Sequence, residues 1–321
     1  MTPSLLQKLL RHPLNREFVV LFLLIIMVPI GARLSPYFLD FPYLLRSTSL
    51  YVEAGIVALA LTFVIVAGHI DISVASNMAL TATLFGVFFG RMHLPLGIAI
   101  LLALLASLLM GLFNGVLIAK AKLPALAVTL GTFALYRGMA QMLIGDGSIS
   151  GFPEAFNGID QRYLLGLVPL PLVIFVVLAL VHALILHRTY IGRWVYAIGT
   201  NASVAKYSGV PVNTTLIGIF VLSGLMSGLG GILLTSRLSV ARFDMALGWE
   251  LDAITAVVLG GTDIAGGRGT IFGTVLAFLL MTLVRTGMGL ADIKIEKQLV
   301  AIGVLLLVSI VLPNLLQRRR D

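Results

Sequence analysis

Few residues of this chain have the types and spacing that chemistry requires. His69 and Asp71 stand together in GHIDIS, Asp263 stands in GGTDIAGG, and Arg137 interrupts the apolar stretch TLGTFALYRGMAQ. Catalysis built on these would need a nucleophile, a metal or a phosphate cradle. The chain has no cysteine, which excludes a disulfide framework, a thiolate metal site and a cysteine nucleophile. Its 5 histidines form no H-x-x-x-H pair, so zinc lacks its usual helical ligand spacing. Gly261 to Gly266 has the outline of a phosphate loop, but Gly267 and Arg268 follow where Lys and Ser/Thr are required. Neither a G-x-S-x-G elbow nor H-E-x-x-H occurs. No catalytic, metal-binding or cofactor-binding residue is therefore expected.

What remains is polar groups that would hold or pass a solute. Asn77, Asn114 and Gln141 offer hydrogen bonds to a hydroxylated solute, or between helices. His69, Asp71 and Asp263 suit a gate or a bend beside a path; the competing reading is N-capping of the next helix by Asp or Ser. Arg137 either lines a path or locks helices together, or else snorkels to the outer interface.

Such residues need apolar elements around them. In 321 residues the hydrophobic types reach 59% with 33 glycines besides, and charged residues only 11%. A surface so poor in charge suits lipid, and excludes an extracellular enzyme and a disordered chain. The net charge of +8 is dispersed in ones and twos, without the basic, aromatic-bearing face that nucleic acid needs. An all-α, polytopic membrane protein follows, read as a single permease domain over 1–321.

A spanning helix takes about 20 apolar residues. Ten stretches qualify, near 17–33, 47–67, 73–90, 94–119, 124–145, 164–186, 214–235, 249–265, 270–290 and 297–314, of which the second, third and eighth are short or glycine-interrupted. Lys8, Arg11 and Arg16 before the first stretch resemble a signal peptide, but Ile30-Gly31-Ala32 is a poor cleavage site. With segment 1–16 in the cytoplasm, an even number of spans returns Arg318, Arg319 and Arg320 there, and the inner segments carry the excess of Lys and Arg. The loop 146–163 is then outside and 187–213 inside. The latter is too apolar for a linker, and a short amphipathic helix is expected near Ala202 to Ser208.

Two further patterns concern packing. Gly111-x-x-x-Gly115 and Gly224-x-x-x-Gly228 read as close helix seams. Ala60 to Ile72 and Ala253 to Ile264 echo one another as A-[LI]-T-x-V before G and D-I, which is either an internal repeat of interrupted helices or chance in a narrow alphabet.

Taken together, GIVALALTFVIVAGHIDISVASNMAL, LPALAVTLGTFALYRGMA, RTYIGRWVYAIGTNASVAKYSGV and AITAVVLGGTDIAGGRGTIFGTVLA resemble, in order and spacing, the bacterial ABC importer permeases for ribose, rhamnose, related monosaccharides and autoinducer-2. The likeness covers roughly residues 15–315, and STSLYVEAGIVALALTFVIVAG and SVARFDMA are most similar to the autoinducer-2 branch. It implies ten spans in the bacterial inner membrane with both termini cytoplasmic, a second permease chain of the same or sister type, ABC ATPase subunits, a periplasmic solute-binding protein and a small sugar-like substrate. It also implies that Thr189, Gly192, Arg193, Tyr196, Gly199, Asn201, Ala205, Ser208 and Gly209 couple the chain to the ATPase. Thr200 departs from a usual glycine there, as do His69 and Ala75 elsewhere, and the acidic residues common before Ala205 are absent. The rival class is a carrier or channel driven by an ion gradient, which would need intramembrane carboxylates; Glu53 and Asp252 are its candidates.

Overall fold

The computed structural model describes residues 15–159, 162–304 and 307. Segment 1–14, most of the tenth stretch beyond 304, and Arg318 to Arg320 lie outside the described residues. The helices are α1 (Asn15–Leu34), α2 (Phe41–Ser49), α3 (Val52–Val66), α4 (Val74–Gly86), α5 (Leu96–Ala119), α6 (Ala125–Ile144), α7 (Glu154–Asn157), α8 (Leu170–Arg188), α9 (Tyr190–Tyr207), α10 (Val212–Leu238), α11 (Trp249–Leu259) and α12 (Ile271–Leu290), with a further helical run over 295–304. Strand is confined to the two-residue pair Tyr163–Leu164 and Val168–Pro169 among the described residues.

Five helices, α1, α5, α8, α10 and α12, are each long and apolar enough to cross a membrane by themselves. The fifth stretch is α6, an unbroken helix of 20 residues, whereas the second, third and eighth depart from a simple span. The second is a pair, α2 and α3, bent by 62°. The third is α4 prolonged by a π turn over Val87–Arg91. The eighth is the half-length α11, whose 11 residues rise about 16 Å, half a bilayer.

The exterior is apolar as well as the core, unlike that of a water-soluble protein. Leu101, Leu105, Leu109 and Phe113 point outward from α5, and Val176, Val177, Leu180 and Leu184 from α8, while Thr62, Ser76, Thr81, Ser107, Thr129 and Ser227 have no exposed surface. Threonine and serine are tolerated inside because their hydroxyls bond back to the helix, as Thr62 does to Ala58 O (2.9 Å) and Ser227 to Ser223 O (2.8 Å). Helix α3 is the hub: every residue except Ala54 is buried, against α8, α10, α11 and α12. Both glycine seams meet on one line between α5 and α10. A Cβ on Gly111 would lie 2.3 Å from Phe220 O and 3.0 Å from Gly224 Cα, and one on Gly224 2.5 Å from Ser107 O, so the two backbones touch only because neither residue has a side chain.

The echo between the two segments has a structural counterpart. Helix α3 ends with His69 N bonding to Val64 O and Gly68 N to Ile65 O; α11 ends with Thr262 N on Val257 O and Gly261 N on Val258 O. Gly68 and Gly261 take φ of +81° and +94°, which glycine adopts without penalty, and both endings are the same Schellman cap. Asp71 Oδ1 then accepts from Ser73 N (3.0 Å), and Asp263 Oδ1 from Ala265 N (3.1 Å), the same turn two residues on. The N-capping expected of these residues is thereby corrected. Ser73 makes no side-chain cap to α4, and the residue that caps α12 is Thr270, which accepts from Gly273 N at 3.0 Å.

Candidate functional site

The two bends face the same element. Helix α9 lies across the end of α3 and the turn that follows α11, and contact is backbone to backbone. Gly267 N donates to Val66 O (2.8 Å), and a Cβ on Gly199 would fall 1.8 Å from that oxygen and 2.5 Å from that nitrogen. Gly266 sits equally close to Gly68, 2.8 Å from its Cα to a built Cβ. A broken helix leaves backbone groups without partners, and here Val66 O at the end of α3 finds one in Gly267 N of the other bend.

The sequence places a short helix near Ala202 to Ser208, and the structure extends it. Residues from Tyr190 onward are also helical, and a single extended residue, Asn201 (φ −164°, ψ 104°), divides the run. Its side chain accepts from Val204 N at 3.0 Å and so caps the second part. Gly192 and Gly199 are close-approach positions: a Cβ on Gly192 would meet Leu186 O at 1.8 Å where α9 folds back on α8. The residues expected to couple therefore divide by face. Gly192 and Ala205 are buried and Gly199 and Tyr196 partly so, whereas Arg193, Asn201, Ser208 and Gly209 are exposed beside Val204 and Tyr207. Thr189 joins the two helices and bonds back to Ile185 O at 2.7 Å.

Tyr196 reaches from the inward face to Gly269 O (2.6 Å), before the first turn of α12. Burial, with the charge of Glu17 adding to it, pushes its phenol up to about 12, so it remains a donor at any physiological pH. Glu17 of α1 accepts from Thr270 Oγ1, and thus the starts of α1 and α12 and the end of α8 share one end of the molecule with α9. Helix α10, 27 residues or about 40 Å long, separates that end from the other. There the segments after α6 and α10 pair through Ile149 and Ala241, under a stack of Phe85, Phe89, Phe152 and Phe156.

Among the path candidates, Asp71 and Asn114 come together. Asp71 Oδ1 accepts from Ser73 Oγ (2.6 Å), Oδ2 from Ser223 Oγ of α10 (2.8 Å), and Asn114 Nδ2 donates to Ser73 Oγ (2.8 Å). Tyr136 of α6 closes the node, donating to Met110 O at 2.9 Å and lying 3.4 Å from Asn114 Oδ1. Asn77 is tied separately to Ser107 O (3.3 Å) and Thr81 (3.1 Å). These groups bind helix to helix. His69 stands beside Phe220 with ring centres 6.3 Å apart.

Arg137 and Gln141 lie further along α6. Arg137 Nη1 donates to Phe243 O (2.6 Å) and Met245 O (2.8 Å), clamping α6 to the turn before α11, which is the helix-locking geometry. Gln141 is exposed and bonds Asp146 at 3.0 Å. Three acidic residues complete this half. Glu53 pairs with Arg237 at 2.8 Å, Asp252 meets Arg285 through both oxygens at 2.7 Å, and Glu250 is buried within reach of the Arg137 charge. The partners of Glu53 and Asp252 are 184 and 33 residues away, a pairing that nothing in the sequence signals.

An apolar exterior, buried polar nodes inside an apolar core and two interrupted helices whose bends meet beside one surface helix are the form of a polytopic membrane protein. Residues 43–310 match the family of the branched-chain amino acid transport system, permease component, and the chain belongs to that family. It is also 42% identical over 301 residues, 92% of this chain and 91% of the relative, to the autoinducer 2 import system permease protein LsrD of Escherichia coli (strain K12) and to that of Shigella flexneri. No solved structure matches. The chain is thus a multi-pass membrane permease, and its relatives are permease proteins of an import system. The gradient-driven reading is not favoured, and both carboxylates it required are neutralised by arginine.

Proposed function

We propose that this chain is the membrane-spanning subunit of an ATP-driven importer for autoinducer-2 or a closely related small sugar-like solute, in the bacterial inner membrane. The observation that carries the proposal is likeness to the autoinducer 2 permeases over nine-tenths of both chains. ABC ATPase subunits bind the exposed face of α9, a second permease completes the path, and a periplasmic binding protein delivers solute at the opposite end. The geometry supports this division of labour. Helix α9 presents Arg193, Val204 and Tyr207 outward, and on its other face touches the end of α3 and the turn that joins α11 to α12, so a push on α9 bears directly on both. The permease itself alternates between outward and inward openings and breaks no bond.

Co-purification and turnover test the docking. Arg193→Glu reverses a charge on an exposed residue, so folding and membrane level should hold while ATPase association falls. A reversed charge costs on the order of 2–5 kcal/mol if its partner is buried and much less at a rim. Wild-type association and binding-protein-stimulated ATP turnover in this variant would remove α9 as the coupling element.

Orientation has its own test. In this cysteine-free chain, an impermeant thiol reagent applied to intact cells should label Asn157→Cys and leave Ser203→Cys unlabelled. The reverse pattern would place α9 outside and end the proposal.

A further inference from the structure

We infer that His187, as the neutral tautomer with its proton on Nδ1, is the positioning residue that ties α9 to the first turn of α12, so that movement of α9 is carried into the turn before α12. The inference rests on the coupling role proposed for α9.

The tautomer follows from the partners. Ile271 N, a backbone donor at the first residue of α12, lies 3.3 Å from His187 Nε2, which must accept and hence carries no proton. The ring proton is therefore on Nδ1, 3.3 Å from Tyr196 Oη, and Tyr196 in turn donates to Gly269 O at 2.6 Å. Three bonds run in one direction, from Ile271 N–H through the imidazole and the phenol to the carbonyl of Gly269, and close a ring around the start of α12. A helix begins with backbone N–H groups that have no partner inside it, and His187 of α8 supplies one from outside. Thr270, between the two bonded residues, is held from the other side by Glu17.

The location makes this tie mechanical. Tyr196 is one helical turn from Gly199, where α9 crosses Val66 and Gly267. Without the imidazole, the hydrogen bond that links α8 to the start of α12 is lost. Protonation of His187 would turn Nε2 into a donor, breaking the bond to Ile271 N–H and placing a cation at a helix N-terminus. The titratable groups facing the ring are Tyr196 from α9 and Glu17 from α1.

The test uses the importer assembled with its ATPase and binding protein in proteoliposomes, comparing His187→Asn, His187→Gln and wild type. Asparagine keeps a donor near Nδ1 and loses the acceptor for Ile271; glutamine places an acceptor near Nε2. In His187→Asn, hydrogen exchange at the Ile271 amide should rise, and solute imported per ATP should fall, by roughly 2- to 10-fold, the weight of one ordinary hydrogen bond. Glutamine should restore both. Acidification from about pH 8 to about pH 5, across the ordinary histidine range, should lower solute per ATP in wild type but not in His187→Gln, which retains Glu17 and Tyr196. Faster exchange at Ile271 with unchanged solute per ATP would overturn the inference. So would equal loss of membrane level in both variants with an unaltered pH profile, the mark of a merely structural residue. Failure of the docking proposal is distinguishable: Arg193→Glu would then leave association intact, while the exchange at Ile271 would still respond to His187→Asn.

Discussion

Gly199→Ala is expected to abolish transport and lower the amount of folded permease. The added carbon would lie 1.8 Å from Val66 O and 2.5 Å from Gly267 N, the two atoms of the bond that joins the end of α3 to the turn between α11 and α12. Overpacking a core costs about 1–3 kcal/mol when side chains can move aside. Here the obstructing atoms are backbone of two different segments, the capped end of α3 and the turn before α12, so α9 must lift away or the bond must break. The control is Gly209→Ala, in the same segment. Its φ of +84° penalises a side chain, but nothing lies within 4 Å, and a loss of about 1–2 kcal/mol from backbone strain is the whole expectation. Melting in detergent, membrane level and ATPase association should all fall far further for Gly199→Ala than for Gly209→Ala. Equal melting of the two variants would mean that α9 does not bear on the bends.

This contrast also explains what the sequence reveals. The glycine seam between α5 and α10 is legible because G-x-x-x-G is a local pattern with one physical meaning, and the half-length of α11 is legible because glycine and aspartate break an apolar run. The helical span from Tyr190 to Thr200 was not, since Gly192 and Gly199 read equally well as breaks or as close contacts, and only the neighbour decides. Asp71 shows the same limit. Its turn with Ser73 is local, but Ser223, which holds its other oxygen, is 152 residues away. Arg137 announces itself as a cation in an apolar helix, yet its partners are backbone carbonyls at Phe243 and Met245, which have no side-chain signature at all. Glu250 passes unnoticed because it sits at a helix start, where an acid is ordinary.

The buried pair of Glu53 and Arg237 provides a second large effect and a test of mechanism. Glu53 occupies the first turn of α3 and Arg237 the last turn of α10, each at the helix end whose dipole favours its charge. They meet at 2.8 Å with Glu53 only 2% exposed. Removing one partner of such a pair strands the other charge in an apolar interior and costs about 3–5 kcal/mol, whereas replacing both with apolar residues of similar volume is often neutral. Arg237→Met should therefore destabilise strongly, Glu53→Leu likewise, and the double variant should recover most of the loss in detergent melting and membrane level. Function separates two reasons for the pair's existence. If it only joins α3 to α10, the recovered double variant should import solute at an ATP cost close to wild type. A carboxylate that relayed protons or coordinated a coupling ion could not be replaced by leucine, so a double variant that folds but has lost uptake would reopen the gradient-driven mechanism. A double variant as unstable as either single one would show instead that the geometry of the bond, beyond the neutralisation of a charge, sets the approach of α3 to α10.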